Sequence, residues 1–457
     1  MQVSRRRFLA GGAALLACPR LAMAAQTADG FQEIAAAPAS LSLLDQGGET
    51  KAWIFGAGPE PLVIRARQGE ELKLRFSNRL PEEIWLHFFG VRGPSELMTL
   101  NVPPGANPAV DCVFTPPDAG TFWIGPVADA SRLRDMGLYA MLVVEEAASA
   151  PAFADLALVL DDWKLDDSGA IEGNFGDAEA MVGEGRLGNW FTVASRYRPR
   201  FKLKAGQFTR LRLLNAADVR SMGVLFKGHD PLLIALDGQP ITPRNLGDKA
   251  LLLAPGQRAD LLASPEDGDI TLALDLFEDV VEIAYLTRDG TGAAPAIAAD
   301  FALPGNPALL PGVTGAIRNV AVVIEGGIKG GLKTAKFAGQ VMDLRGLLEH
   351  GKGWALNGTA GPAAEPMFTA SQGETIVLKI DNRTAFSQPM HIHGHVWQEL
   401  AETSSGVWQD TAVIAAGEVL TLAFVADNPG TWAIQSLVAE RADGGMIGAF
   451  QVIAADP

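Results

Sequence analysis

Apolar residues recur at every second position through short stretches of the chain. Leu72, Leu74 and Phe76 alternate with Lys73, Arg75 and Ser77, and Leu211 and Leu213 are flanked by Arg210 and Arg212. A period of two marks a strand with one buried face. Long helical periodicities are scarce, and 50 Gly and 28 Pro supply turns between short strands. The pattern predicts an all-β protein.

One pattern occurs three times. Arg65-Ala66-Arg67-Gln68-Gly69 leads to Asn78, Lys202-Leu203-Lys204-Ala205-Gly206 leads to Asn215, and Ala370-Ser371-Gln372-Gly373 leads to Asn382. Each Gly precedes its Asn by nine residues, which predicts a turn at the Gly and a strand closed by the Asn. The repeats recur after 137 and 167 residues, the scale of a domain. Three homologous β-sandwiches are expected: residues 25–148, 149–290 and 319–457, with a linker at 291–318. A second echo, Gly120-Thr121-Phe122-Trp123 and Gly430-Thr431-Trp432, links the first and third units; the middle unit offers Ala254 to Asp260 in its place.

The 457 residues and 48% hydrophobic content suit several packed cores. Residues 1–24 read as an export signal: Ser4-Arg5-Arg6-Arg7-Phe8-Leu9, a short apolar run, then Ala22-Met23-Ala24. The paired arginines resemble a twin-arginine signal, which implies a periplasmic destination. The apolar run is too short to span a bilayer, so no integral membrane segment is expected after removal. Loss of its four Arg takes the formal charge from −16 to −20. That surface repels nucleic acid, and it favours a monomer. Of the two cysteines, Cys18 leaves with the signal and Cys112 lies in an alternating stretch, where a buried structural thiol is expected.

Six histidines serve the whole chain, and three fall within Gln388-Pro389-Met390-His391-Ile392-His393-Gly394-His395. On a strand, His-x-His directs both imidazoles to one face, as a shared metal requires. His391 lies nine residues after Asn382 and His87 nine after Asn78, so the repeat makes them equivalent; the middle unit has Val224 there. Any such site draws on the first and third units.

These residues resemble the multicopper oxidases. The family motif His-Pro-x-His-x-His-Gly is matched by Gln388 to Gly394 except at its first position, and His-x-His-Gly by His87 to Gly90 except at its third. Arg210 to Ala216, Gly228-His229, Asp237-Gly238-Gln239-Pro240 and Ala254 to Asp260 are similar to the family's second domain. The resemblance implies three cupredoxin-like Greek-key domains in tandem. In the family, a type 1 copper takes electrons through a Cys ligand and a trinuclear cluster on eight His reduces dioxygen. Here Gln388 stands for one type 1 His, Ile434-Gln435-Ser436 for the His-Cys-His tripeptide and Glu440 for the following His. Trp123-Ile124-Gly125-Pro126-Val127 stands for Trp-x-His-x-His. The resemblance thus leaves three cluster histidines, His87, His391 and His393, of which His87 and His391 match the type 2 copper pair.

Two readings of these three stand side by side: a site for one copper ion, or relic imidazoles hydrogen-bonded in a domain interface with no metal. His395, His229 and His350 read as structural, and the scattered methionines as core filling. Gln388, Gln435 and Glu440 read either as a self-satisfied polar cluster or as a pocket for another ligand. At the level of function, the chain reads as a copper-handling protein without four-electron oxidase activity. The alternative is a metal-free periplasmic scaffold with a protein partner, since the chain also resembles the exported division-protecting proteins FtsP/SufI. A third reading, a working laccase-like oxidase, predicts a blue protein.

Overall fold

The computed structural model describes residues 25–147, 153–265, 268–276, 279–312, 316–400 and 406–455. The expected signal, residues 1–24, lies outside the described residues, as does the expected 148/149 junction.

Among the described residues the strands form six large sheets and one two-stranded ribbon, in a nearly all-β protein. The large sheets come in pairs built from successive stretches of chain, 25–145, 154–289 and 317–453. The last set begins at Ile317, just inside the stretch expected as linker. Each pair repeats one topology. A first strand runs parallel to the strand that ends in the repeated Asn: Gln32–Leu41 with Leu72–Asn78, Ala154–Trp163 with Thr209–Asn215, and Ile317–Gly326 with Thr375–Asn382. In the facing sheet, Ile84–Phe89, Met222–Lys227 and Gln388–Ile392 hold the same place. They are three copies of one sandwich. The counterpart of Gly120–Pro126 and Gly430–Ser436 in the middle copy is Ile270–Asp275, whereas Ala254 to Asp260 feeds a strand of the other sheet. The expected equivalence of Ala254 to Asp260 with the Gly-Thr echo does not hold.

The repeated Gly–Asn spacing has a physical cause. Gly69, Gly206 and Gly373 all have φ near +80°, a turn conformation that suits glycine. Asn78, Asn215 and Asn382 are fully buried, and each side chain ties its strand end to the next segment. The Asn78 amide donates to the carbonyls of Glu82 and Val102 and its oxygen accepts from the Leu80 N–H. Asn215 bonds Arg220, Leu253 and Ala217 likewise, and Asn382 bonds Phe386, Ile414 and Thr384. This fixes the loop into the following strand, and so fixes where the ninth residue after each Asn falls.

Leu72–Asn78 alternates buried and half-buried positions as expected, but Thr209–Asn215 is buried on both faces. Its Arg210 and Arg212 are not solvated; they pair with Asp260, Glu146 and Asp155. The apolar cores of the first and third sandwiches merge into one cluster, while the middle sandwich has its own. No helix among the described residues is long and apolar enough to cross a membrane.

Candidate metal centre

Alternation places the histidines. In Ile84–Phe89, Ile84, Leu86 and Phe88 enter the core, so His87 and Phe89 face the other way. In Gln388–Ile392, Met390 and Ile392 are core residues, and His391 points to the opposite face. His393 continues that face one residue beyond the strand, its N–H donating to the Ala433 carbonyl at 2.9 Å. Gly394 follows with φ +65°, and a Cβ there would lie 2.4 Å from the Trp432 ring. Only glycine lets the chain turn against that ring.

The two outward faces meet. His87 and His393 stack with ring centroids 3.7 Å apart at 25°, and His391 lies 5.3 Å from His393. One ligand atom from each of the three lies within 4.8 Å of the others. All three are buried, and the Nε2 of each has no hydrogen-bond partner. Two Nδ1 atoms are held from behind: that of His87 by Thr99 Oγ1 at 2.9 Å, and that of His391 by Asp410 Oδ1 at 3.1 Å and Thr411 Oγ1 at 3.2 Å. Thr99 and Thr411 are the cross-strand neighbours of His87 and His391, so the internal repeat extends to the residues behind the imidazoles. Burial, then the neighbouring imidazoles, holds His87 and His393 well below the usual histidine pKa. Three buried imidazoles whose Nε2 atoms have no partner are a donor set for a borderline cation such as Cu or Zn.

The surroundings are apolar. Phe89 lies 5.5 Å from His391 and stacks on Trp123 at 4.0 Å and 7°. A Cβ on Gly125, opposite His87 on the neighbouring strand, would come within 2.2 Å of the Trp123 ring. The indole therefore occupies the space over position 125. Val127 packs beside it, with Leu437 in the same cluster.

Strand pairing corrects one expectation. Met390 faces Ser436, His391 faces Gln435 and Ile392 faces Ile434. Gln435 thus shares the face of His391, and Ser436 shares the core-directed face of Gln388 and Met390. With this pairing the family resemblance implies Gln435-Ser436-Leu437 as the counterpart of His-Cys-His, one residue later than expected, and Arg441 in place of Glu440 at the following His position. Arg441 Nη1 indeed donates to Gln388 Oε1 at 2.9 Å. The Gln388 amide donates to Thr384 Oγ1 at 2.9 Å, so Gln388 is satisfied, whereas Gln435 Oε1 and Arg441 Nε are buried without a partner. Glu440 turns away and accepts the Arg186 N–H, and burial pushes its carboxyl up to about 7.

The other residues singled out in the sequence lie apart from this centre. His395 is enclosed by Phe424, Trp432 and Phe450. His229 accepts the Ser264 N–H at 3.4 Å, and His350 caps a helix on the surface. Cys112 is buried and free. Sequence reasoning missed Asp410, Thr99 and Thr411, which carry no motif of their own. Their signal was cross-strand position, legible once the pairing partner is known.

Comparison with known proteins agrees with this construction. Residues 41–149, 159–270 and 338–456 each match a multicopper oxidase family domain. The multicopper oxidase MmcO of Mycobacterium tuberculosis is 26% identical over 82% of this chain and 77% of its own. The cell division protein FtsP of Escherichia coli is 29% identical over 48% of each chain, so the match spans about half of that relative. A multi-copper oxidase from Pseudomonas thermotolerans superposes with TM-score 0.75 at 30% identity, covering 92% of this chain and 98% of that one. Three family domains in sequence, three copies of one sandwich and a relative of equal extent lead to one conclusion: this chain belongs to the multicopper oxidase family.

Proposed function

We propose that this chain is a periplasmic family member that holds one copper ion on His87, His391 and His393 and does not carry out the four-electron reduction of oxygen. The observation that carries this reading is that His87, His391 and His393 each bring one ring nitrogen within 4.8 Å of the others while the Nε2 of each is buried without a hydrogen-bond partner. A buried polar atom left unpaired costs about 1–3 kcal/mol, and three aimed together are relieved by a cation. Asp410 accepts from His391 Nδ1, which keeps the Nε2 lone pair free, the familiar arrangement behind metal-bound histidine. Bound copper would supply a single redox-active cation there.

The oxidase chemistry is argued against by the residues at the other positions. Gln388, Ser436 and Arg441 offer neither imidazole nor thiolate, so they argue against a blue-copper centre. Phe89 and the Trp123 ring over Gly125 fill space that paired type 3 coppers need. Export is supported by the arginine pair at Arg5-Arg6 and the small-residue site at Ala22 to Ala24. The test is copper retention by the wild-type chain against a His87→Ala/His391→Ala variant after dialysis. The wild type is expected to keep copper and the variant to lose it; equal retention defeats the proposal.

A second reading, a metal-free scaffold in cell division or envelope stress, is favoured by the similarity to FtsP. It predicts that the same double variant restores septation to a deletion strain as well as the wild type does. Normal septation in the deletion strain under salt stress would remove this reading.

A further inference from the structure

The middle sandwich donates no imidazole, yet one of its side chains grips both halves of the candidate centre. Arg258 is fully buried at the start of the strand Arg258–Ala263. Its Nε donates to the Thr121 carbonyl at 3.1 Å, and Nη1 donates to the Gly256 carbonyl and to Asp410 Oδ1, each at 3.0 Å. Nη2 donates to Asp410 Oδ2, which makes the pair bidentate, and Asp237 flanks the guanidinium at 3.4 Å. Asp410 in turn meets His391 Nδ1. Thr121 belongs to Gly120–Pro126, the strand that pairs with the His87 strand and sets Gly125 opposite His87. One planar fork therefore fixes the first-domain half through a backbone carbonyl and the third-domain half through a carboxylate.

The fit is close. Gly90 has φ +84°, and a Cβ there would stand 2.4 Å from both Arg258 Nη2 and Asp410 Oδ2. A guanidinium with four fixed acceptors has one orientation, which a lysine ammonium cannot reproduce. We infer that Arg258 is the positioning residue of the metal centre: it sets how His87 and His391 face each other, and so copper affinity depends on the docking of a domain that supplies no ligand. This rests on the copper reading above.

The experiment is Cu(II) binding by chelator competition, with the electron paramagnetic resonance spectrum of the bound ion, on the wild type, Arg258→Lys and Gly90→Ala, each first checked for native near-ultraviolet dichroism. Arg258→Lys is expected to weaken binding about 10- to 100-fold, the usual effect of losing a residue behind a ligand, and to change the spectrum. Gly90→Ala, which wedges the ion pair apart while keeping both members, should act in the same direction and covers the case where Arg258→Lys fails to fold. Folded Arg258→Lys or Gly90→Ala protein with wild-type affinity and spectrum overturns the inference alone. A wild type that binds no copper overturns the metal reading beneath it.

Discussion

Arg441 Nη1 donates to Gln388 Oε1 at 2.9 Å, and the family resemblance, read with the strand pairing, matches this pair to the two type 1 imidazoles. The guanidinium lies over the rings of Trp354 and Phe386, and the Ser436 N–H donates to the Met446 carbonyl at 3.0 Å. The triple variant Gln388→His/Ser436→Cys/Arg441→His should recover intense blue absorption with copper, because it supplies two imidazoles and a thiolate. The Ser436→Cys single variant should stay colourless. Visible spectra decide it.

Phe89 stacks on Trp123 and packs against the imidazoles of His87, His391 and His393. Phe89→Ala should lower stability by about 3–5 kcal/mol through the cavity it leaves, read from the denaturant midpoint. Its copper stoichiometry should not rise.

Cys112 is enclosed in the first core, and burial pushes its thiol up to about 12. A disulfide reagent at pH 8 should find no reactive thiol in the folded chain lacking residues 1–24, and one thiol after unfolding.

The seam between the sandwiches carries buried carboxylates. Burial raises Asp161 to about 7, against the opposing hydrogen bond from Tyr139 at 2.6 Å, and raises Asp443 to about 6. Both values exceed the unfolded ones, so the folded state binds protons more tightly than the unfolded state. Stability should therefore fall as pH rises from about 4 to about 7, by at most about 1.4 kcal/mol per unit per group, and level off above. Asp161→Asn should flatten part of that slope and raise the melting temperature at pH 8. Melting curves from pH 5 to 8 check the sign.

The sandwiches were legible because the sequence repeats their local chemistry: the Gly turn, the alternating strand and the buried Asn recur at one spacing, and each acts within a few residues. His87 and His391 were legible for the same reason, since the Asn fixes the strand in which each falls. Arg258, Asp410 and the Thr99/Thr411 pair were not, because their roles arise across strands and domains far apart in sequence. The one-residue displacement to Gln435-Ser436-Leu437 has the same origin. A face is assigned by the partner strand, and Ile434 and Gln435 are both compatible with a buried strand until Met390 is seen opposite Ser436. Likewise Arg210 and Arg212 look like a solvated face, and only Asp260 and Asp155 reveal that they are buried in pairs.

Copper content per chain, measured by elemental analysis after saturation and exhaustive washing, bears most directly on the central claim. The arrangement of His87, His391 and His393 predicts one copper per wild-type chain in a protein without blue colour. Four coppers with blue absorption, or none at all, would contradict it.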